Sequence, residues 1–339
     1  MRVLLVANVD LSRPGGLETH IRELARWLAT RGHDVEILGE PADLPPFTMV
    51  RDPDPARYDV IHHHGGSWPA RLPKDHRRVR TLHFCTAAKM ALYVRMGRVK
   101  TLANLGNWRG VFDERARVRG PGRLIAVSDR VCAEFARHHG LDPGRARVIS
   151  NGATFDPPRE ERATVRARLG VAPDAPVLLT IGRADFVKGY GLLGRAWRRA
   201  RKPKGATWVI VGGGAPSRSR DRIVTGTLPH DQVIDWIHAA DLGALPSYYE
   251  GCSVALLEML AGGLYTLAHD VGNAAEVITP RVHGEIVPAD EATWTALLTR
   301  ALAALPPRPV RRLPETYRWD AIADRVAEVY REAIAEGDA

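Results

Sequence analysis

At 339 residues, with 45% hydrophobic and 26% charged side chains, the chain is long enough for two ordinary cores and too apolar to be a disordered polymer. Its three cysteines, Cys85, Cys132 and Cys252, are far apart and form no CxxC or Cys/His pattern, which argues against a disulfide framework and a zinc site and fits a reducing cytoplasm. The net charge of +9 is localised, because residues 71–123 hold 14 Lys/Arg against Asp75, Asp113 and Glu114, so that window alone carries +11.

The opening MRVLLVANVD is a short apolar run without a small-residue cleavage region, and reads as a first core strand; no stretch approaches the roughly 18 apolar residues of a membrane span. It is followed by the amphipathic LETHIRELARWLATRG, stopped by Gly32, and by the strands DVEIL and DVIHHH. VRTLH, a segment from Thr86 to Gly97, LIAVS, a helix from Asp129 to His139 and RVISNG complete the first half. Strand and helix alternate throughout, which predicts a parallel sheet covered on both faces.

After Asn151-Gly152 the text turns rich in Pro and charge, placing a linker near 151–160, and then the alternation resumes. VLLTIGRAD, a helix over about 189–201, TWVIVGGG, DRIVTG, the helix DQVIDWIHAA, LGALPS, a helix after Cys252, LYTLAH and HGEIVP follow in turn, and helices over about 290–303 and 319–335 close the chain. Two such sheets in series predict α/β architecture with two Rossmann-like doubly wound domains facing a cleft, residues 1–153 and 154–318, with 319–339 as a terminal helix.

In open parallel sheets ligands bind at the carboxyl ends of strands, where loops and helix N-termini offer free amides. Pro14-Gly15-Gly16 lies in such a loop and suits an approaching anion, although an ordinary tight turn explains a glycine pair equally well. His83 and Ser128 end strands and look toward the same edge. His62, His63 and His64 alternate faces along one strand, so the three cannot converge on one metal ion. In GRADFVKG, Arg183 and Lys188 follow a strand and suit a diphosphate, the one as a bidentate donor and the other as a compact charge.

The stretch PSYYEGCSVALLEMLAGG is the most informative. A helix apolar from Val254 to Ala261 must be buried, yet it carries Glu258, and a buried carboxylate needs hydrogen-bond partners. A ribose diol would serve, as would backbone or an arginine. Glu250, one or two turns earlier, would then face the sugar end of the same ligand, with the helix N-terminus at Gly251, Cys252 and Ser253 facing a diphosphate.

With these residues in hand the sequence resembles glycosyltransferase family 4, retaining enzymes of GT-B architecture, over essentially its whole length. The motifs are GGLETHIRELARWLATRGHDVEIL, DVIHHHGG, LIAVSDRV, VISNGATFD, IGRADFVKG, EGCSVALLEMLAGG with its E(x)7E spacing, and the closing YRWDAIADRVAEVYREA. The resemblance implies that Arg183 and Lys188 bind the donor diphosphate, Glu258 the ribose, and Glu250 with the backbone of Gly251, Cys252, Ser253 and Val254 the donor sugar. It places Gly15 and Gly16 near the donor phosphate, His83 near the transferred sugar, and Gly226, Thr227 and Leu228 beside the nucleobase. It also implies no metal and no cofactor, front-face transfer of a hexose from a UDP- or GDP-sugar, and a terminal helix that crosses back to the N-terminal domain. Tyr265 and Asn273 depart from the family, where proline and a second glycine are usual.

The expected acceptor is a small molecule or natural product, or a lipid-linked glycan, and the expected location is cytoplasmic, with room for contact with the inner face of a membrane through the basic 71–123 region. That region also suits a solvated arginine-rich surface; nucleic acid is the less fitting partner. The alternatives are a sugar-nucleotide epimerase or phosphorylase of the same architecture, or a non-enzymatic protein binding anionic ligands or membranes.

Overall fold

The structure is a computed structural model that describes residues 1–65, 69, 72, 77–153, 156–308 and 313–336. Arg71, Lys74 and Asp75 of the basic window, and residues 154 and 155 of the expected linker, lie outside the described residues. The chain divides into two compact units, Met1–Gly152 with Glu315–Ala339, and Ala153–Pro314.

In the first unit the strands are β1 (Arg2–Asp10), β2 (Asp34–Glu40), β3 (Thr48–Val50), β4 (Val60–His64), β5 (Arg78–Leu82), β6 (Arg123–Ala126) and β7 (Ala146–Val148). They form one sheet in the order β3-β2-β1-β4-β5-β6-β7, and every pair is parallel. The helices are α1 (Gly16–Thr30), α2 (Thr86–Arg95), α3 (Leu105–Arg119) and α4 (Asp129–His139). Parallel neighbours require crossovers, and burial on both faces makes β4 and β5 wholly buried.

The second unit contains β8 (Val177–Ile181), β9 (Thr207–Val211), β10 (Ser217–Arg218), β11 (Arg222–Gly226), β12 (Leu242–Leu245), β13 (Tyr265–Ala268) and β14 (Gly284–Ile286), ordered β10-β11-β9-β8-β12-β13-β14. Only the two-residue edge strand β10 runs antiparallel to its neighbour among the described strands. Helices α5 (Arg162–Arg168), α6 (Tyr190–Arg199), α7 (His230–Ala239), α8 (Val254–Ala261), α9 (Ala274–Val277) and α10 (Glu291–Ala303) cover it. One face packs Leu192, Trp197, Trp208, Trp294 and Leu298; the other packs Val177, Leu179, Val209, Ile237 and Met259.

The last helix, α11 (Trp319–Ala335), belongs to the first unit and fills its core with Trp319, Ile322, Val326 and Tyr330 against α1 and β1. Gly152 makes that seat possible, since a Cβ there would stand 2.6 Å from the Trp319 ring. The buried Tyr330 hydroxyl meets His62 Nδ1 at 2.7 Å, and His62 Nε2 meets Thr81 Oγ1 at 2.7 Å, so a polar relay links α11, β4 and β5. At the surface, Arg31 grips Asp324 with two nitrogens, at 2.9 and 3.1 Å.

Two helices fall where periodicity shows none. In α3 the buried side is Glu114 and Val118 alone, so no apolar stripe marks it. In α5 the core side is Val165 and Arg166; Arg166 donates to the carbonyls of Ala172, Ala175 and Ala239 and pairs with Asp241, a set of bonds that replaces apolar packing.

Tyr330→Phe leaves His62 Nδ1 without its partner in a dry site. We expect a loss of about 1–3 kcal/mol, read as a lower urea midpoint, with the secondary structure unchanged.

Candidate functional site

The residues singled out from sequence fall in both units. In the first, Gly15 precedes α1 with extended backbone and Gly16 opens the helix, exposed. Glu18, in the first turn, folds its carboxylate over Gly15, where a Cβ would meet Oε2 at 2.1 Å, so the helix N-terminus already has an anion of its own.

His83 follows β5, half-buried, and its Nε2 lies 3.2 Å from His64 Nδ1. The His20 ring stands edge-on to His83, with centroids 4.8 Å apart, and its Nδ1 lies 2.8 Å from Asn151 Oδ1. The three consecutive histidines alternate as expected: the His62 and His64 rings lie 4.0 Å apart, while His63 Nε2 meets the Asn8 amide at 3.3 Å. Sequence reasoning missed His20. The signal was there, because His20 interrupts the otherwise apolar buried face of α1 formed by Ile21, Leu24, Ala25 and Leu28.

Two trios of described residues bring ligating atoms within 4.8 Å of one another, His20 with His64 and His83, and Cys85 with Glu114 and His139. In the second trio the carboxylate is committed: Glu114 accepts from the Thr86 amide at 2.7 Å and its hydroxyl at 2.6 Å, and meets His139 Nε2 at 3.0 Å. In the first, an ion would displace the His64–His83 contact. The Nε2 atoms of His20 and His64 are buried without a hydrogen-bond partner among the described residues.

In the second unit the structure assembles Lys188, Glu250 and the start of α8. Gly182 follows β8, Arg183 is exposed, and Asp185 accepts from the Lys188 amide at 3.1 Å to close a single 3-10 turn. Gly189 has φ +67, and a Cβ there would stand 1.9 Å from the Pro246 carbonyl oxygen, so only glycine lets this loop lie against the loop after β12. The Tyr248 amide donates to Val187 O at 2.7 Å and ties the two loops together. Lys188 Nζ then donates to Glu250 Oε1 at 2.7 Å, both side chains largely screened from water.

Ser253 caps α8 by accepting from the Leu256 amide at 3.3 Å. Its own amide donates to Asn273 Oδ1 at 3.0 Å, which takes Ser253 N–H out of the set of amides expected to face a ligand. Asn273 is fully buried and its Nδ2 has no hydrogen-bond partner among the described residues. Gly272 has φ +54, and a Cβ there would meet Gly251 O at 2.9 Å, so the 272–273 turn is pressed onto the Glu250–Gly251 backbone. Cys252 and Val254 are buried and contribute packing.

Glu258 is 7% exposed on α8, and His230 Nδ1, at the start of α7, lies 3.7 Å from its Oε1. The segment Gly226 to Leu228 runs into this helix. Gly226 sits at a break in the β11 register with φ +71, Thr227 is exposed, and Leu228 packs against the core. His269 holds the adjacent loop, its Nδ1–H donating to Ser247 O at 2.9 Å while its Nε2 accepts from Trp294 at 2.9 Å. His230 and His269 carried no sequence signal of their own, because each acts on a partner distant along the chain, and the departure at Asn273 gave no sign of its contact with Ser253.

Burial holds His20, His62, His64 and His83 below the ordinary histidine range, desolvation being the largest cause in each, and His20 is pushed down to about 4. The unfolded chain therefore takes up protons below about pH 6.5 that the folded chain refuses, so stability is full above that pH and falls as the pH drops toward 4, by at most about 1.4 kcal/mol per unit for His20. We expect the urea midpoint to fall between about pH 7 and pH 5, and to fall less steeply for His20→Asn; equal slopes for the two proteins would refute the assignment.

Family models match both parts of the chain. One described as glycosyl transferases group 1 covers residues 175–304, and one described as glycosyltransferase family 4 covers residues 47–156. D-inositol 3-phosphate glycosyltransferase 2 of Catenulispora acidiphila is 28% identical, over 95% of this chain and 91% of that protein. The D-inositol 3-phosphate glycosyltransferase of Thermobispora bispora is 29% identical, over 94% and 90%. Among solved structures, sucrose-phosphate synthase of Thermosynechococcus elongatus has a TM-score of 0.78 at 20% identity, covering 99% of this chain and 100% of that one. HepE of Anabaena in complex with UDP-glucose has a TM-score of 0.70 at 18% identity, covering 99% of each chain. At these identities the structural likeness is one of fold.

Proposed function

Because this chain belongs to glycosyltransferase family 4 and has the GT-B architecture, we infer that it transfers a hexose from a nucleoside-diphosphate sugar, UDP- or GDP-linked, to an acceptor hydroxyl with retention and without a metal. The observation that carries the donor reading is the Lys188–Glu250 contact of 2.7 Å beside the α8 N-terminus, with the buried Glu258 on the same helix.

On this reading Glu258 accepts from the ribose hydroxyls, and Gly226, Thr227 and Leu228 border the base. Arg183 and Lys188 meet the diphosphate, and Glu250 accepts from hydroxyls of the sugar. Lys188 and Glu250 neutralise each other in the free protein; a bound donor would engage the ammonium with phosphate and the carboxylate with hydroxyls, so each keeps a charge-assisted partner. The scissile bond joins the anomeric carbon to a phosphate oxygen. As it breaks, negative charge grows on the leaving diphosphate, where Arg183 and Lys188 stabilise it. The acceptor oxygen bonds to the same face of the anomeric carbon, and its proton passes to the leaving phosphate oxygen. His83, kept neutral by burial, serves as a hydrogen-bond partner for the transferred sugar and not as a cation.

The acceptor is a small molecule or a lipid-linked glycan, and D-inositol 3-phosphate is the first to try, since several relatives are named for acting on it. Release of nucleoside diphosphate from UDP-, GDP- and dTDP-sugars tests the reading, and failure to bind any of them by calorimetry would sink it. A requirement for inorganic phosphate would favour a phosphorylase instead, and product without acceptor an epimerase. We expect Lys188→Ala to lower kcat/KM about 100-fold or more. Glu258→Gln should weaken donor binding by about tenfold, with a smaller change in kcat.

A further inference from the structure

The +11 window is not uniformly a surface. Arg78 and Arg80 are buried, Arg78 donating to Pro121 O at 2.7 Å, and Arg123 is paired with Glu336 and Glu332 of α11. Among the described residues of the window, what remains outward is concentrated on α2, the 3-10 turn Val99–Ala103 and α3. Of the eleven large apolar side chains exposed among the described residues, eight lie between Phe84 and Phe112. Leu105 is 79% exposed, Phe112 66%, Val99 57% and Trp108 42%.

The helix geometry explains the display. Leu105, Trp108 and Phe112 follow the i, i+3, i+7 spacing of one helix face, and Arg109, Arg115 and Arg119 lie along the same side. Glu114 and Val118 are on the opposite side, where Glu114 is locked by Thr86 and His139, so α3 is pinned with its apolar and cationic side outward. Trp108 Nε1 donates to Leu102 O at 2.8 Å and fixes the 3-10 turn on that helix. Within 84–119 there are eight Lys/Arg and two acids, of which Glu114 is buried.

We propose that the outward side of α3, with the adjoining 3-10 turn, docks on the surface of an anionic lipid bilayer. Leu102, Leu105, Trp108 and Phe112 enter the interface between headgroups and acyl chains, and Arg109, Arg115 and Arg119 meet lipid phosphates. Interfacial helices combine these two elements, an apolar face and flanking cations. A second copy of the chain fits worse, because a symmetric contact would press one cationic face against its equal. No helix among the described residues is long and apolar enough to cross a membrane, so the contact is with the surface. The inference does not rest on the donor reading, since docking needs no nucleotide sugar.

Co-sedimentation of the full chain with vesicles tests it. With about 30 mol % phosphatidylglycerol in phosphatidylcholine we expect binding that falls about tenfold or more on pure phosphatidylcholine, and again when salt is raised from about 0.1 to 1 M. The double variant Leu105→Ser/Phe112→Ser should lose about tenfold in vesicle affinity, and Arg109→Glu/Arg115→Glu a comparable amount, while Val282→Ser, an exposed apolar change in the other unit, keeps it. Circular dichroism and the urea midpoint confirm that each variant folds. The proposal is overturned by no binding, by equal binding to neutral and anionic vesicles, by retention in both double variants, or by a dimer in light scattering that Leu105→Ser/Phe112→Ser disperses.

Discussion

Parallel strand pairing is the constraint from which the rest of this molecule follows. Neighbouring strands can run the same way only if the chain returns over one face of the sheet each time, so helices must bury both faces and the strands become continuous apolar runs. Every pair in the first sheet, and every pair but the β10 edge in the second, obeys this. A further consequence is directional. The loops that leave β1, β5, β6, β8, β11, β12, β13 and β14 start at the carboxyl ends of parallel strands and lead into helices, and the proposed donor residues of the second unit are on those loops, at the end of β11 or on α8.

The loops themselves are set by short-range sterics. Gly189 lies so close to the Pro246 carbonyl that no other residue fits, and the Tyr248 amide fastens the two loops at Val187. Only then can the Lys188 ammonium reach Glu250. The pair is worth having because it is partly dry, and because either partner alone would be a screened charge without compensation. It gives a pre-arranged cation and anion where the proposed reaction calls for both.

How much of this could be read from sequence depends on how local the cause is. β8, β9, β12 and β13 were legible as apolar runs, and Lys188, Glu250 and Glu258 as charges where charge is out of place, because loop position and helix burial are local patterns. Helix α3 was not, since its inward side is one committed carboxylate and one valine and its apolar residues point outward. Helix α5 was hidden for a related reason, with Arg166 standing where an aliphatic residue would have announced a core. Asn273, marked from sequence as a departure from the family's glycine, turned out to clasp the Ser253 amide across a twenty-residue separation, and His20 to join His64 and His83; neither contact has any trace in spacing.

The central claim is that a nucleotide sugar sits on the loop after β8 and on the segment that leads into α8. Hydrogen–deuterium exchange measured with and without UDP-glucose or GDP-mannose tests this directly, because it reports where the backbone is shielded and does not depend on turnover. The account predicts slower exchange in peptides spanning residues 182–190 and 250–258 with at least one of the two donors. Product formation accompanied by unchanged exchange in both segments would contradict it.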